Sequence, residues 1–237
     1  MEQKVTVITV VRNAAKALET TIQSVLGQSV PGVDFIIIDG ASTDETLQVI
    51  RRNEKSIKVW VSEADRGVYD AMNKGWSLAD PDSRVLFLGA GDRLISLPEG
   101  LGAKHEPSAI LFGKVCLADN QQFHARKGFW LKLYNSLHHQ ALLIPRSLHP
   151  EPPFCLDYPL YADFDFNQRL FKQGAIFQFD PDLQAYAAPG GLTKELDIDE
   201  LAAVTRKNFG CLWSGLARVG FLLSKHFTPL RRLRPIR

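Results

Sequence analysis

Apolar and polar residues alternate in blocks along the first 90 positions of the chain. Four short runs are apolar and rich in β-branched residues, which is typical of strands buried on both faces of a sheet. They lie at 5–11, 34–39, 57–61 and 84–88. Between them, apolar residues recur at helical spacing and predict helices at 14–27, 42–52 and 69–78. Strands alternating with helices indicate parallel βαβ units, so we expect an α/β fold with a mostly parallel central sheet.

The second of these helices also has a start signal. Ser42 followed by Glu45 three residues later has the form of a capping box, in which each side chain binds a free backbone N–H of the first turn. We therefore predict that this helix begins at Ser42.

The regular alternation stops after Asp92. The predicted elements beyond it are short strands at 110–117, 140–144 and 175–179, and helices at 160–172, 197–209 and 212–226. The sequence has no internal repeat and no low-complexity linker. We therefore expect a single domain with an α/β first half and an irregular second half.

Composition narrows the class of protein. The 237 residues are 45% hydrophobic and 23% charged, as in ordinary globular proteins. The three cysteines are far apart and form no CxxC pair, which argues against a zinc site or a disulfide framework and suits a reducing cytosol. The sequence has no signal-peptide pattern at its start, and no apolar run reaches the roughly 18 residues of a spanning helix. We expect a cytoplasmic protein, which could also sit on the cytosolic face of a membrane.

Polar residues follow each of the four predicted parallel strands. In an open parallel sheet, ligands bind outside the carboxyl ends of the strands, so these residues predict a binding edge. They are Arg12, Asn13, Asp39, Ser42, Asp65, Arg66 and Asp92. The chain lacks a GxGxxG turn after the first strand and a GxxxxGK[ST] loop. Those absences argue against dinucleotide binding and P-loop ATP hydrolysis.

Several motifs, taken in order, closely resemble glycosyltransferase family 2, and within it the branch that makes bacterial exopolysaccharide and lipopolysaccharide. They are Thr9–Asn13, Ile36–Thr46, Ser62–Gly75, Leu88–Asp92, His138–Gln140, Ala162–Phe166 with Arg169, and Gly190–Thr193. The resemblance implies a GT-A fold over residues 1–210, with a nucleotide-binding half at 1–92 and an acceptor half at 93–210. It also implies inverting transfer of a sugar from a UDP-, GDP- or dTDP-sugar to a hydroxyl group.

The resemblance assigns the donor site to residues of the first half. They are Thr9, Asn13, Asp39, Ser42, Asp65, Arg66, Asn73 and Lys74. A carboxylate such as Asp39 can accept from a nucleobase N–H, and a guanidinium such as Arg66 can contact a diphosphate. Two alternatives stay open from the residues alone: Asp39 could cap the following loop, and Arg66 could form an exposed ion pair with Asp65.

The resemblance also implies a metal ligand and a catalytic base. Asp92 takes the position of the aspartate that binds Mn²⁺ or Mg²⁺ against the diphosphate, although Gly89 stands where the family often has a polar or acidic residue. Asp163 matches the general base, and Asp165 is the alternative, since two residues apart on a helix they point in different directions. Either His138 or His139 lines the site or packs in the core.

The C-terminal segment 211–237 differs in charge from the rest of the chain. From residue 201 onward there are eight Lys or Arg and no Asp or Glu, which leaves a net charge of −6 on residues 1–200 of a total of +2. Basic amphipathic segments with Trp and Phe bind anionic membranes, so we expect a peripheral membrane contact and a lipid-linked saccharide acceptor. A helix packed on the body is the alternative, and nucleic acid is not expected as a partner because no binding motif accompanies the charges.

Two other functions compete with the transferase. A sugar nucleotidyltransferase would need a Gly-rich basic loop after the first strand, and the sequence lacks it. A non-catalytic nucleotide-sugar-binding module is compatible with the reduced metal motif at Gly89.

Overall fold

The computed structural model describes residues 4–119, 121–149, 151–189 and 197–227, with side chains up to residue 223 in the last helix. Within these ranges the chain forms nine strands and seven helices. The strands are β1 (Val5–Val11), β2 (Val33–Asp39), β3 (Val59–Ser62), β4 (Arg84–Gly89), β5 (Arg93–Ser96), β6 (Ile110–Leu117), β7 (Gln122–Phe123), β8 (Leu142–Pro145) and β9 (Phe177–Ala187). The helices are α1 (Ala15–Leu26), α2 (Thr46–Arg52), α3 (Val68–Leu78), α4 (Leu101–Lys104), α5 (Ala162–Lys172), α6 (Ile198–Phe209) and α7 (Cys211–Phe227).

The first four strands form the parallel part of the sheet, in the order β3-β2-β1-β4. Helices cover both faces of this part. On one face Leu18 and Ile22 of α1 pack with Ile50 of α2, and on the other Trp76 of α3 packs with Phe166 of α5. The expected α/β fold with a mostly parallel first half is confirmed, and the carboxyl ends of these strands share one edge.

The second half continues the same sheet with mixed directions. β8 runs antiparallel to β4, β6 runs antiparallel to β8, β9 is parallel to β6, and β5 closes the order antiparallel to β9. The short β7 pairs with β6. One sheet therefore joins the two halves of the chain.

Two strands of the second half differ from the prediction. β5 was not predicted, and β9 runs from Phe177 to Ala187 instead of ending at Phe179. The sequence Asp180-Pro181-Asp182 is typical of a turn, but the pairing of β6 with β9 shifts register there instead of ending. Gly113 permits this, because a Cβ at that position would lie 1.9 Å from the carbonyl oxygen of Leu183.

The predicted capping box at Ser42 is wrong. The helix begins at Thr46, four residues later, because the Ser42 hydroxyl is bonded to Asp39 and does not reach the helix. The N-cap residue is Glu45, whose side chain makes no capping bond, and the carboxylate of Asp44 before it accepts from the Thr46 backbone N–H at 2.9 Å. A polar side chain near a helix start can thus bond to the end of the preceding strand instead of capping the helix.

The C-terminal segment is helical where the structure describes it. α6 and α7 pack against each other at the predicted positions, through buried Val204 and Ala217. Among the described residues, no helix is both long and apolar enough to cross a membrane. The Arg residues at 231–237 and the Gly190–Thr193 motif lie outside the described residues.

Candidate active site

The carboxylate of Asp39 is the centre of a polar network at the ends of β1, β2 and β3. Asp39 is fully buried, and its side chain accepts from the Ser42 backbone N–H at 3.0 Å and from the Ser62 hydroxyl at 2.6 Å. The Ser42 hydroxyl also donates to it. This network fixes the direction of the carboxylate at the predicted binding edge.

The loops around this network have unusual backbone geometry. Asn13 and Ala41 both lie in the left-handed region, with φ values of 50° and 55°. The backbone N–H of Asn13 donates to the Ser42 hydroxyl at 2.8 Å, and its side-chain oxygen accepts from the Thr43 N–H at 2.8 Å. Strained residues of this kind persist where surrounding bonds hold them, and they cluster at binding sites. Asn13, Asp39 and Ser42 are thus brought together.

Lys74 of α3 reaches back to the loop after β3. Its ammonium pairs with Asp65 at 2.5 Å and with Glu63 at 2.8 Å. Burial acts to lower the pKa of Lys74, but hydrogen bonds to these two carboxylates outweigh it and raise the pKa. Arg66, by contrast, is directed to solvent with 79% of its side chain exposed, and it pairs with Asp70, not with Asp65.

Among the described residues, the side chains of Thr9 and Asn73 make no hydrogen bond to the Asp39 network. Thr9 is fully buried within the sheet, while the next residue, Val10, lines the cavity described below. Because side chains alternate along a strand, the sequence could have predicted that Thr9 and Val10 lie on opposite faces of the sheet. Both polar atoms of the Asn73 side chain bind the backbone of Phe154, at 2.8 and 2.9 Å.

A cavity of about 800 Å³ opens beside the end of β4. Its wall is mostly apolar, with polar groups from Asp92, Asn135, His139 and Asp163. The cavity therefore joins the end of the parallel sheet to α5 in the second half. Its size is within the range of small-molecule sites.

Asp92 is held in the cavity wall by three N–H donors. One oxygen accepts from the Gly89 N–H at 2.7 Å and from the Gln140 side chain at 3.0 Å. The other accepts from the Ala188 N–H at 2.8 Å. A carboxylate has about four acceptor sites, so the three donors from the described residues leave one of them for a further partner.

The remaining acceptor site of the Asp92 carboxylate determines how a metal could bind. Among the described residues, no group of three or more His, Cys, Asp or Glu could hold an ion. Asp92 therefore fits a cation that takes most of its oxygen ligands from a bound diphosphate and from water, which is how Mg²⁺ is usually held with substrate phosphates. The residues do not form a metal site that stands alone.

The carboxylate of Asp163 is the centre of a second network. It is buried at the start of α5, where one oxygen accepts from the Tyr69 hydroxyl at 3.0 Å and the other from the Asn135 side chain at 2.9 Å. His139 Nδ1 lies 3.6 Å from that second oxygen. Burial acts to raise the pKa of Asp163, but His139, Tyr69 and Asn135 together hold it below its ordinary value. Asp163 is therefore ionised at neutral pH.

Two donors around Asp163 were not identified from the sequence. Tyr69 was expected in the core, and its ring is indeed buried, but its hydroxyl faces Asp163. Burial first, and then the charge of Asp163, raise its pKa well above the usual value, so it stays a donor. Asn135 carried no sequence signal because it lies in an irregular loop.

Asp165 faces the opposite side of α5, away from the cavity. It is fully buried between α5 and α6, where Arg169 binds it at 2.9 Å and Asn208 at 3.1 Å. Lys207 lies 3.3 Å from the same carboxylate. These partners join the two helices.

The two adjacent histidines have different surroundings. His138 is hydrogen-bonded to Gln140, which in turn binds Asp92. Burial, followed by the neighbouring His139, lowers the pKa of His138, so it is neutral at pH 7. His139 is nearer to Asp163, and both histidines line the cavity.

Solved structures with the same architecture are glycosyltransferases of the GT-A type. TarS of S. aureus, residues 1–349 in complex with UDP, superposes with a TM-score of 0.70 at 15% identity, over 95% of this chain and 72% of that one. The chain spans 44% of another TarS structure. The mannosyltransferase PcManGT from Pyrobaculum calidifontis, solved with GDP-Man and Mn²⁺, gives 0.63 at 17% identity over 98% of this chain and 83% of that one.

Sequence relatives agree with the fold. A PGL/p-HBAD biosynthesis glycosyltransferase of Mycobacterium bovis (strain BCG / Pasteur 1173P2) is 32% identical over 176 residues, which are 69% of this chain and 68% of the relative. A dolichyl N-acetyl-alpha-D-glucosaminyl phosphate 3-beta-D-2,3-diacetamido-2,3-dideoxy-beta-D-glucuronosyltransferase of Methanococcus voltae is 23% identical over 206 residues, which cover 72% and 62%. Residues 6–94 match the family "Glycosyl transferase family 2". With this match and the Mycobacterium relative, the chain belongs to glycosyl transferase family 2.

Proposed function

We propose that this protein is an inverting glycosyltransferase that moves a sugar from a nucleoside-diphosphate sugar to a hydroxyl of a saccharide acceptor. The observation that carries the proposal is the ionised carboxylate of Asp163, which faces the same cavity as Asp92. A carboxylate that is ionised at neutral pH and faces the cavity can take a proton from a hydroxyl as that hydroxyl attacks.

The proposed reaction is a single displacement. A carboxylate oxygen of Asp163 accepts the proton of the acceptor hydroxyl, and the hydroxyl oxygen forms a bond to the anomeric carbon. The bond from that carbon to the diphosphate breaks on the opposite side, and its electron pair leaves with the diphosphate. Tyr69 and Asn135 hold the carboxylate in one orientation during this step.

The donor would bind along the edge of the parallel strands. Asn13, Asp39 and Ser42 would hold the nucleoside, and Asp65 with Lys74 would contact the nucleotide. The guanidinium of Arg66 is exposed, so it can turn from Asp70 towards a diphosphate. The UDP and UDP-GlcNAc complexes of TarS and the GDP-Man complex of PcManGT support a nucleotide-sugar donor.

A divalent cation, Mn²⁺ or Mg²⁺, would be held by Asp92 together with the diphosphate. When bound, it would neutralise the charge that develops on the departing diphosphate. The Mn²⁺ in the PcManGT complex supports this part of the proposal. Gly89 and Gln140 would fix the carboxylate of Asp92 for that contact.

We also propose a lipid-linked acceptor and a role in cell-surface polysaccharide biosynthesis, at the cytosolic face of the inner membrane. The relative from Methanococcus voltae is named for a dolichyl phosphate compound, which supports an acceptor of this class. The basic segment 211–237 supports a contact with anionic lipid.

The test of the base is Asp163→Asn. We expect sugar transfer to fall about 10³-fold, within the range that general bases contribute, while the Kd of the donor stays unchanged. Asp182→Asn, an exposed carboxylate on β9, is the matched control and should retain full transfer. Undiminished transfer by Asp163→Asn would rule out its role.

Calorimetric titration with UDP-, GDP- and dTDP-sugars, with and without Mn²⁺, identifies the donor and separates the proposal from its competitors. Release of pyrophosphate from a nucleoside triphosphate and a sugar phosphate would instead indicate a nucleotidyltransferase. Donor binding without hydrolysis or transfer, even with lipid extract present, would indicate a binding module.

A further inference from the structure

Helix α7 has its apolar face turned away from the protein. Its buried side is formed by Ser214 and Ala217, which pack on α6. On the opposite side, at helical spacing, lie four exposed residues that we name the apolar stripe: Leu212, Leu216, Val219 and Leu223, with exposed fractions of 46–74%. A helix on a water-facing surface has polar residues there. The apolar stripe therefore indicates a surface that contacts something other than water.

A second segment, distant in sequence, extends this surface. We name it the aromatic turn, residues 128–134, in which Phe129, Trp130 and Tyr134 are exposed. The ring of Phe129 lies 5.3 Å from that of Trp213 on α7, so the turn and the helix are in contact. Two elements thus present one continuous apolar face, larger than single exposed residues would give.

Basic groups border this face. The guanidinium of Arg126 lies 4.8 Å over the ring of Trp130, and the ammonium of Lys132 lies 4.5 Å over that of Trp213. In the sequence, residues 120–150 and 201–237 hold four and eight Lys or Arg and no Asp or Glu. Aromatic rings beside cations are typical of protein surfaces at a bilayer interface, and the charge complements anionic lipid.

The same face adjoins the candidate active site. Tyr134 of the aromatic turn and Phe221 of α7 both line the cavity that contains Asp163. A group anchored in a bilayer under this face would therefore enter the cavity from the acceptor side.

We infer that the aromatic turn and the apolar stripe form one docking surface for an anionic lipid bilayer, and that the acceptor reaches Asp163 from that bilayer. The inference rests on the proposed function for the identity of the acceptor, but the lipid contact itself does not. What is new is the part assigned to residues 128–134, far from the basic C-terminal segment.

The test is co-sedimentation of the full chain with vesicles of phosphatidylcholine and phosphatidylglycerol, compared with phosphatidylcholine alone. We expect binding to the anionic vesicles only, weakened by salt because the charges are screened. The double variants Phe129→Ser/Trp130→Ser and Leu216→Ser/Val219→Ser should each weaken binding about tenfold or more. The control Ile95→Ser/Ile176→Ser removes two equally exposed apolar residues elsewhere and should bind like the original protein.

Two readouts keep the outcomes distinct. All variants should unfold in one cooperative thermal transition and keep the donor Kd measured without vesicles, and this donor Kd tests the proposed function separately. Vesicle binding that is absent, or that the Phe129→Ser/Trp130→Ser change leaves intact, overturns the joint surface while donor binding stands. A dimer in sedimentation velocity that these variants dissolve, without any vesicle binding, would assign the face to self-association and also overturn the inference.

Discussion

Asp39 and Asp163 are both buried carboxylates in hydrogen-bond networks, but their partners come from different distances along the chain. Asp39 binds Ser42, three residues away, and Ser62, 23 residues away. Asp163 binds Tyr69, 94 residues away, and Asn135, 28 residues away. The strand ends proposed to bind the nucleotide are thus assembled mainly by loops that follow neighbouring strands, whereas the surroundings of the proposed base are assembled by segments that lie far apart in the sequence. Substitutions on the two sides should therefore differ in what they change.

The largest effect in this comparison is expected at Asp92, which links the two regions. Asp92→Asn keeps the shape but removes the charge and turns an NH₂ group towards N–H donors. We expect the donor Kd in Mn²⁺ to rise about tenfold or more, and the difference between titrations with and without Mn²⁺ to disappear. Calorimetry measures both. An unchanged Kd would remove Asp92 from the donor site.

Asn73→Ala tests whether a residue of the donor motif acts instead in the scaffold. The change removes two hydrogen bonds to the backbone of Phe154 and leaves those groups without their partner. We expect about 2 kcal/mol of destabilisation and a melting temperature lower by roughly 4–8 °C, with an unchanged donor Kd. Weaker donor binding at an unchanged melting temperature would instead show that Asn73 contacts the nucleotide.

Tyr69→Phe tests the long-range network. Loss of the hydroxyl removes a hydrogen bond of about 1 kcal/mol that orients the carboxylate of Asp163 towards the acceptor, so kcat should fall roughly fivefold. The base works when deprotonated, that is, above its pKa. Removing a donor raises the pKa of Asp163, so the acidic limb of the kcat/KM profile should move to higher pH.

The control for that shift is Tyr186→Phe, a tyrosine on β9 whose ring lies under Arg93, outside the cavity. Its pH profile should match that of the unmodified protein. A fivefold loss in Tyr69→Phe without any shift of the acidic limb would indicate that the hydroxyl only positions the loop at Leu160.

The smallest effect, and one of opposite sign, is expected for Thr9→Val. The Thr9 hydroxyl is buried and has no hydrogen-bond partner among the described residues. Valine has the same shape without the polar atom, so we expect stabilisation of about 1 kcal/mol and a melting temperature higher by roughly 2–4 °C. Differential scanning calorimetry measures this. A higher donor Kd would show that Thr9 takes part in donor binding.

The accuracy of the sequence predictions follows the same division. The parallel strands and the meeting of Asn13, Asp39 and Ser42 follow from apolar runs and from the rule that strand ends share an edge. The start of α2 was wrong because a strand end competed with the helix for Ser42. Strand β9 was predicted too short because its continuation depends on Gly113, a residue in another strand. Asn135 and the Tyr69 hydroxyl could not be predicted, since only tertiary packing brings them to Asp163.

The pairing order of the sheet has a consequence for how the chain acquires its structure. β4 pairs with β8, and both β5 and β6 pair with β9, which comes last along the chain among the described strands. During synthesis the edge of β4 that pairs with β8 therefore stays unpaired until about fifty further residues have emerged. Such edges are templates for aggregation, and non-local pairing slows folding. A fragment that ends after β4 should precipitate, and refolding should be a single slow event that involves both halves at once.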